Sequence, residues 1–588
     1  MCGIAGMACR PGIRPDAARL DAMSAALWHR GPDGAGALDT ESVALRHRRL
    51  SIVDLQGGAQ PLRLDSRALV ANGEIYNDLD LRASMPDVRF GTGSDCEPPL
   101  ALWPREGMRY AAMLRGMYAI ALTDMASSDG ELVLSRDPFG IKPLYLAAFE
   151  GGIAFASEAR ALLAGGFGKR EALPQARDAL LALQFVPGDA TIYPGIRRLR
   201  PGETVRISDG RIVDRHRLRA FPDRTPPDGM SHGMSETEAL ARLDEALLDS
   251  VSAHERADVP FGLFLSGGVD SASILAAMKK LGQDRPCAWT ARFDAGAVDE
   301  SAEAARMARL AGAEHRVFSI TEEMFWVDLP RIVGAMDDPV ADYAIVPTWF
   351  LAREAARDVK VILSGEGGDE LFAGYGRYRR AMRPWWRGGR APYRRGAMER
   401  TGLSGGEAWK SALRVQATAR GPEARLHAVQ ALDVAEWLPN DLLIKLDRCL
   451  MAHAVEGRTP LLDPVVARIA ASLPTHMKIR DGRGKYLLRR WLNDNLPGVD
   501  AFAPKQGFTV PVAAWIAKRS QGLAPLMART AALQAVGSSQ AISAVVRNTE
   551  KRRHGKAAWH LLFYALWHRI HIEGVAPDGD VFEILTAR

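Results

Sequence analysis

The chain has 588 residues, of which 47% are hydrophobic and 25% charged. This composition is typical of folded proteins and excludes disordered, collagen-like and coiled-coil classes. At roughly 150 residues per domain, the length predicts about two to four domains, each with its own core. The net charge of +6, from 76 basic and 70 acidic residues, is small for this length and argues against a nucleic-acid partner.

The chain has five cysteines, an odd number, and no two of them form a Cys-x-x-Cys pair. They predict neither a disulfide framework nor a zinc site, and they favour a reducing, cytoplasmic location. The N-terminus lacks the basic and apolar blocks of a signal peptide, and no run of about 18 residues is free of charge. Both observations argue against export and against a membrane partner.

In chain order, the region up to Ile207 contains short apolar stretches separated by Gly, Pro and Asp, which is typical of β-strands joined by tight turns. A Pro-, Gly- and Ser-rich stretch, Phe221–Ser235, lacks apolar periodicity and predicts a linker. Beyond it, Thr237–Ala253 has the i, i+3, i+4 spacing of an amphipathic helix. We therefore expect one domain at 2–215, a linker at 216–235 and a second domain at 236–588.

Within the second domain, Val259–Leu265 and Val359–Leu363 read as strands, and each ends in a Ser-Gly turn. Helical patterns flank both strands, an alternation that predicts a parallel α/β sheet. From Ala408 onward the segments are mainly helical in pattern. The expected fold class is therefore multidomain, with a strand-rich first domain and an α/β second domain that ends in a largely helical part.

Cys2 directly follows the initiator methionine. Removal of Met1 would place a thiol and a free α-amine on the same residue. An α-amine titrates at about pH 7.7–8.0, so a fraction of it is neutral and able to take the thiol proton. Alone, a cysteine at this position is equally compatible with no function, and the motifs that follow it decide in favour of a nucleophile.

Five motifs in the first domain occur in an order and spacing that resemble the glutaminase domain of class II glutamine amidotransferases. They are His29–Asp33, Arg49–Asp54, Asn72–Asn77, Gly93–Asp95 and Arg136–Tyr145. The resemblance implies an N-terminal-nucleophile αββα sandwich, in which helices enclose two stacked sheets. It also implies that the Cys2 thiol attacks the side-chain amide of glutamine.

By this resemblance, Arg49 binds the glutamine α-carboxylate through its planar fork, while Asp95 and Glu74 bind the ammonium group. Asn72 and the Gly73 amide form the oxyanion hole for the tetrahedral intermediate. The same motifs add four residues to the glutamine pocket: Leu50, Ser51, Ile52 and Val53. Taken singly, each has an ordinary structural interpretation, such as a hairpin turn at Asn72-Gly73.

The strand Val259–Leu265 runs into Ser266-Gly267-Gly268-Val269-Asp270-Ser271 and then into a helical pattern over Ala272–Lys280. Glycines let the backbone approach a phosphate closely, and the free amides of a helix N-terminus bind it. A Gly-Gly turn with Ser and Asp caps is also structurally ordinary. The string resembles the pyrophosphate loop of ATP pyrophosphatases, which implies that ATP is cleaved between its α and β phosphates.

A second strand and turn carry Ser364-Gly365-Glu366-Gly367-Gly368-Asp369-Glu370. A solvated turn is the ordinary interpretation of several acidic residues in a row. The glycines between them favour acids that face Mg²⁺ and an adenylate instead, because glycine allows a close approach of backbone and ligand.

The two signatures, in this order, resemble glutamine-hydrolysing asparagine synthetases over nearly the whole chain. Later matching motifs are Leu443–Arg448, Met451–His453, Glu456–Asp463, Lys485–Arg489 and Pro504–Phe508. The resemblance implies a parallel α/β ATP pyrophosphatase domain and a homodimer. It also implies that Glu366 lies at the acyl-adenylate, that Lys485 neutralises pyrophosphate and that Asp270 and Asp369 bind Mg²⁺. The implied ATP-binding residues are Leu265, Ser266, Gly267, Gly268, Asp270, Ser271, Ala291, Ser364 and Gly365.

The hypothesis is a cytoplasmic ligase whose substrates are glutamine, aspartate and ATP, with Mg²⁺ and no organic prosthetic group. Ammonia from glutamine hydrolysis at Cys2 would attack β-aspartyl-AMP and give asparagine, AMP and pyrophosphate. Ala291 and Gly457 depart from the usual motifs, and they bear on the nucleotide and acceptor pockets. An amidotransferase for another carboxylate, such as a sugar acid or a secondary-metabolite precursor, is therefore the main alternative.

Two further alternatives are a non-catalytic glutamine-sensing or RNA-binding protein and a cyclising synthetase that uses an internal amine. The joint presence of Cys2, Asp270, Asp369 and Lys485 argues against the first, and the complete glutaminase set argues against the second. The segment Arg377–Arg400 holds nine arginines and one acid, a pattern that RNA or an anionic membrane surface would attract. We favour an excursion that covers the second domain, with solvated arginines.

Overall fold

The computed structural model describes residues 2–222, 234–294, 300–383, 421–503 and 510–587, and between them also 386, 393, 396–399, 401, 403 and 406–414. The centre of the expected linker, much of the Arg-rich segment and the motif Pro504–Phe508 lie outside these residues. Within the described ranges, no helix combines the length and apolar character needed to cross a membrane.

The short apolar stretches of the N-terminal region form two antiparallel six-stranded sheets. The strands are β1 (Gly3–Cys9), β2 (Gly34–Asp39), β3 (Val43–Arg49), β4 (Leu62–Leu64), β5 (Arg67–Ile75), β6 (Gly116–Asp124), β7 (Leu132–Arg136), β8 (Tyr145–Phe149), β9 (Gly152–Ala156), β10 (Ile196–Arg198), β11 (Glu203–Ser208) and β12 (Arg211–Arg217). The first sheet has the order β10-β8-β9-β1-β3-β2, and the second has the order β12-β11-β7-β6-β5-β4.

Side-chain alternation along β1 explains why the two sheets stack. Ile4 and Ala8 face the second sheet, in a core that also contains Val70 and Ala121, whereas Met7 faces the opposite way, towards the helices. Five helices cover the outer faces: α1 (Ala17–Ala26), α2 (Asp78–Ser84), α3 (Pro99–Glu106), α4 (Ala159–Ala164) and α5 (Pro174–Leu183). This arrangement confirms the αββα sandwich that the N-terminal motifs imply.

The C-terminal region is built around a five-stranded parallel sheet with the order β15-β14-β13-β16-β17, in which the strands are β13 (Phe261–Phe264), β14 (Cys287–Phe293), β15 (Glu314–Ile320), β16 (Val361–Leu363) and β17 (Glu456–Arg458). The two strands expected from the sequence, β13 and β16, are adjacent at its centre. A parallel α/β sheet is therefore confirmed, and it is larger than the sequence pattern indicated.

Helices cover both faces of this sheet and continue into a helical C-terminal part. They are α6 (Glu236–Glu255), α7 (Val269–Lys280), α8 (Ser301–Ala311), α9 (Glu322–Ala335), α10 (Ile345–Ala355), α11 (Gly368–Leu371), α12 (Gly376–Met382), α13 (Trp409–Ala412), α14 (Pro422–Leu432), α15 (Leu443–Met451), α16 (Pro464–Ser472), α17 (Thr475–Lys478), α18 (Tyr486–Asn495), α19 (Val512–Arg529), α20 (Ala531–Gln534), α21 (Ser539–Arg547), α22 (Arg552–His571) and α23 (Val581–Thr586). A π-helix, Asp433–Leu442, runs directly into α15.

The two regions share a buried boundary. Leu50, Ile52 and Phe139 from the N-terminal sandwich belong to the same hydrophobic cluster as Leu263 and Leu265 from the parallel sheet. The boundary is therefore a hydrophobic core, and side chains from both regions can meet there away from water.

Buried neutral histidines make the fold sensitive to acid. Burial lowers the pKa of His47, His254 and His560 from 6.5 to about 3. Each is neutral in the folded state but gains a proton on unfolding below pH 6.5, so the stability it contributes is complete above pH 6.5 and is lost as the pH falls towards 3. For each, the free energy of unfolding should fall by about 2 kcal/mol between pH 7.5 and pH 5.

Urea unfolding of His560→Gln at these two pH values tests this expectation, because His560 is 1% exposed and its Nδ1–H donates to Leu181 O at 2.8 Å. The variant should lose less stability on acidification than the wild type. The exposed His476 provides the matched control, and His476→Gln should keep the wild-type pH dependence. An equal acid response in His560→Gln and wild type would contradict the prediction.

Candidate active sites

Cys2 lies immediately before β1 and is 8% exposed. Its backbone nitrogen donates to Asn72 Oδ1 at 3.0 Å, and Arg30 Nε donates to its carbonyl oxygen at 3.1 Å. Burial raises the pKa of the Cys2 thiol above its ordinary value, although a hydrogen bond from the Leu50 N–H to the sulfur acts in the opposite direction. The thiol is therefore protonated at neutral pH and needs a base before it can attack.

Asn72 and Gly73 lie next to this thiol on β5. Because the Cys2 N–H fixes Asn72 Oδ1, the side-chain amide is oriented, and Asn72 Nδ2 is buried with no hydrogen-bond partner among the described residues. Gly73 has a φ of +157°, and a Cβ there would lie 2.0 Å from Met117 O. A buried, oriented and unused donor beside a nucleophile is suited to receive a developing negative charge.

Arg49, Asp95 and Glu74, which the sequence also predicts at the glutamine pocket, are held or influenced by their own neighbours. Arg49 donates to the carbonyl oxygens of Asp54 (2.6 Å) and Leu55 (3.1 Å), which fixes its guanidinium. Asp95 Oδ2 accepts from Ile75 N at 2.7 Å. Burial and the neighbouring Asp95 carboxylate raise the pKa of Glu74, so the two acids form one electrostatic unit.

Leu50, Ser51, Ile52 and Val53 form the segment after β3. Ser51 N donates to Asp33 Oδ2 at 2.8 Å, while the Leu50 and Ile52 side chains are buried in the shared boundary core. Leu50 and Ile52 could therefore contribute to a ligand only through their backbone.

A second site is a cavity of about 420 Å³, a size typical of small-molecule pockets. Every ATP-binding residue expected from the sequence lines it, as do Glu366 and Lys485. The loop between β13 and α7 is held by Ser271, whose hydroxyl accepts from Ser266 N at 3.1 Å. Ala291 is 7% exposed and lines the wall formed by β14. This residue, which departs from the usual motif, therefore lies in the cavity itself.

Lys485 connects the two acids expected to bind Mg²⁺. Its ammonium pairs with Asp270 and lies 2.7 Å from Asp369 Oδ1. Burial lowers the pKa of Lys485, but the two carboxylates raise it by more, so the net shift is upward. Its backbone has a φ of +60°, an uncommon conformation for a residue with a side chain that is typical of functional positions.

The glycines around these acids are required by space. A Cβ on Gly368 would lie 2.3 Å from Asp270 Oδ1, and a Cβ on Gly374 would lie 1.9 Å from Asp369 Oδ1. Two carboxylates beside a glycine-rich, phosphate-sized loop are a donor set that suits Mg²⁺, which binds one or two carboxylates together with phosphate oxygens. The residues present therefore fit the implied ion.

Sequence reasoning assigned no role to Lys445, although its motif was noted. Lys445 lies on α15, and its Nζ is 3.0 Å from Glu366 Oε1 and 3.8 Å from Asp342 Oδ2. Burial lowers the pKa of Lys445, but Glu366 and Asp342 more than compensate and raise it. The cavity wall therefore contains an ion pair between Lys445 and the half-buried Glu366.

The same helix reaches the Cys2 pocket through its other face. Arg30 forms a two-point fork with Asp447, with Nη1–Oδ2 and Nη2–Oδ1 distances of 2.8 and 2.9 Å. Lys142 Nζ donates to Gly457 O at 3.2 Å across the same boundary. The sequence signal that could have indicated these boundary contacts is a set of charged residues within an otherwise apolar helical segment, residues 443–451.

Two other sequence features have structural outcomes. Gly457 packs against α15, since a Cβ there would lie 3.2 Å from Leu450 and 3.3 Å from Leu446; it does not line the cavity.

In the Arg-rich segment, Arg377 is not solvated. It pairs with Asp433 at 2.7 Å and stacks over Tyr375 at 4.0 Å, so this first arginine anchors the segment.

Comparison with known proteins finds a family model for each of the two regions. The model of the glutamine amidotransferase domain family matches residues 1–217, and the asparagine synthase family model matches residues 242–569. The chain belongs to the asparagine synthase family. Glutamine-hydrolyzing asparagine synthetase 1 of Bacillus subtilis is 30% identical over 97% of both chains. A Mycobacterium tuberculosis protein provisionally named as a glutamine-hydrolyzing asparagine synthetase is 36% identical over 98% of both.

The asparagine synthase family relatives also include a Penicillium rubens protein named Amidase chyE, which is 31% identical over 64% of this chain and 60% of its own length. In this chain the region matched by the glutamine amidotransferase model contains the Cys2 site, and the region matched by the asparagine synthase model contains the cavity. The two chemistries expected from the sequence therefore fall in the two matched regions.

Proposed function

We propose that the chain synthesises asparagine from aspartate, with ATP as the activating substrate and glutamine as the nitrogen donor. The observation that carries the proposal is the buried contact between the two sites: Arg30 bonds both to the Cys2 carbonyl and to Asp447 on α15, and α15 also carries Lys445 to the nucleotide cavity. A nucleophile that releases ammonia and a cavity that activates a carboxylate meet on one boundary.

In the first half-reaction, the α-amine left after removal of Met1 takes the Cys2 thiol proton, and the sulfur attacks the glutamine amide carbon. The resulting oxyanion accepts hydrogen bonds from Asn72 Nδ2 and the Gly73 N–H. Ammonia leaves with the proton from the amine, and water hydrolyses the thioester to glutamate. Arg49 holds the substrate carboxylate, while Asp95 and Glu74 hold its ammonium group.

Replacement of Asn72 by alanine tests the oxyanion assignment. The variant removes the oriented donor, so kcat for glutamine hydrolysis should fall by roughly 10²–10³-fold, with KM changed much less. Glutamate release measured without ATP gives both constants. A rise in KM with kcat unchanged would instead make Asn72 a substrate-binding residue.

In the second half-reaction, the aspartate β-carboxylate attacks the α phosphate of ATP, which releases pyrophosphate and forms β-aspartyl-AMP. Ser266–Ser271 and Ser364–Gly365 bind the nucleotide, and Lys485 neutralises the leaving pyrophosphate. Mg²⁺, when held by Asp270 and Asp369, supplies further charge neutralisation on the phosphates. A carboxylate is a poor electrophile, whereas the acyl-adenylate has AMP as a good leaving group.

Ammonia then attacks the acyl carbon and displaces AMP. Glu366, held by Lys445 at 3.0 Å, lines the cavity, where it can accept the proton that the attacking nitrogen must lose.

The five cysteines are all unpaired thiols, which supports a reducing compartment such as the cytoplasm.

A product assay tests the function. Purified protein is incubated with amide-labelled glutamine, ATP, Mg²⁺ and aspartate, and AMP, pyrophosphate and labelled asparagine are followed together. Equal amounts of the three products are expected. If glutamine is hydrolysed but aspartate yields neither AMP nor asparagine, aspartate is wrong as the acceptor, and other carboxylates are then screened.

A further inference from the structure

Glu74 is bound from outside its own domain. This carboxylate, which we assign to the ammonium end of glutamine, lies 3.1 Å through Oε1 from Nη2 of Arg458. Arg458 belongs to β17 of the parallel sheet, and its side chain is completely buried, while that of Glu74 is 9% exposed. The glutamine pocket therefore contains a cation that the sandwich does not supply.

Arg458 is held rigidly in this position. Its Nη1 donates to the carbonyl oxygens of His254 (2.9 Å) and Arg256 (2.6 Å), at the end of α6. Its Nε donates to Glu456 Oε1. These bonds occupy the other sides of the guanidinium, and Nη2 is left in ion-pair contact with Glu74 without a hydrogen bond among the described residues.

The pocket needs such a cation on electrostatic grounds. Burial, and the nearby acids Asp95 and Glu456, raise the pKa of Glu74, whereas Arg458 lowers it. A protonated Glu74 would attract an ammonium group only weakly. An ionised Glu74 carries the negative charge that complements a substrate ammonium.

The backbone of the same residue contacts a lining residue of the nucleotide cavity. Arg458 is paired with Leu363 in the parallel ladder, and its carbonyl accepts from Ser364 N at 2.8 Å. Ser364 lines the cavity. The side chain and backbone of one residue thus contact the two sites.

We infer that Arg458 is a positioning residue of the glutamine site, supplied by the synthetase region, which holds a fixed positive charge 3.1 Å from Glu74 and so favours and positions this carboxylate for the substrate ammonium group. The inference rests on the proposed function. It makes glutamine binding a property of both regions together and not of the sandwich alone.

The test measures glutamine hydrolysis without ATP in the full chain. Arg458→Gln should raise KM for glutamine at least about tenfold and change kcat less than about threefold, because only binding of the ammonium group is lost. Arg458→Lys keeps the charge and should recover most of the loss. In a Glu74→Gln background, Arg458→Gln should add less than about twofold, because the partner is already neutral.

Arg115→Gln is the matched control, since Arg115 also crosses the boundary, to Asp463 at 2.8 Å, but does not contact Glu74. It should leave KM for glutamine unchanged. Ammonia-dependent AMP formation reports whether each variant is folded, and Arg458→Met, which also lacks the charge, replaces Arg458→Gln if the latter does not fold.

An Arg458→Gln enzyme with wild-type KM, an Arg458→Lys enzyme as impaired as Arg458→Gln, or a full additional loss in the Glu74→Gln background overturns the inference while the proposed function stands. Wild-type protein that hydrolyses no glutamine, or a Cys2→Ala variant that hydrolyses it as fast as wild type, overturns the proposed function itself.

Discussion

Cys2→Ala should lose glutamine-dependent synthesis and keep ammonia-dependent synthesis. Removal of a covalent nucleophile costs on the order of 10⁴–10⁶-fold in kcat, so glutamate release should fall to background. The substitution keeps the backbone N–H that binds Asn72 Oδ1 and the carbonyl that accepts from Arg30, so the boundary stays intact. AMP formation with ammonium chloride should therefore remain within about twofold of wild type.

The matched control is Cys9→Ala, since Cys9 is the last residue of β1, the strand that Cys2 precedes, and is 1% exposed but faces the helical layer. It should hydrolyse glutamine at the wild-type rate. Glutamate and AMP are measured in parallel, with glutamine or ammonium as the nitrogen source. Loss of both activities in Cys2→Ala, with the protein folded, would contradict the division of labour between the two sites.

The sequence predicts those parts of the fold that local pattern determines. The strand β13 and the helix α7 were predictable because an apolar run, a glycine turn and a helical period follow one another within about twenty residues. By contrast β17 is only Glu456-Gly457-Arg458, with no apolar side chain. It becomes a strand because it pairs with β16, a contact distant in sequence.

Strand β15 shows a second reason for a missed element. Glu314–Ile320 lies at the edge of the parallel sheet, and most of its side chains are exposed or half-buried. It therefore carries neither the continuous apolar run of a central parallel strand nor a clear alternation. Its place in the sheet depends on pairing with β14.

The candidate sites follow the same division. Residues within one motif, such as Ser266–Ser271, meet because the loop itself brings them together. The pairing of Arg30 with Asp447 joins residues 417 positions apart, and that of Glu74 with Arg458 joins β5 to β17. Charge pairs across a boundary leave no periodic signal, so only the structure reveals that acids and bases from separate motifs neutralise one another.

Lys485→Met should abolish synthesis with either nitrogen source and leave glutamine hydrolysis intact. Lys485 is the cation shared by Asp270 and Asp369, so its loss leaves two facing carboxylates and removes the charge that meets the developing pyrophosphate. Loss of one such preorganised group costs roughly 10²–10³-fold in rate. AMP and pyrophosphate formation should fall by this factor with glutamine and with ammonium alike.

Lys279→Met is the control, because Lys279 lies near the end of the adjacent helix α7 and donates to Leu310 O from an exposed position. It should retain wild-type synthesis. Glutamate release without ATP should be unchanged in both variants, because the Cys2 pocket does not contain Lys485. If Lys485→Met lost only glutamine-dependent synthesis and formed AMP normally with ammonium, the lysine would act in nitrogen transfer and not on pyrophosphate.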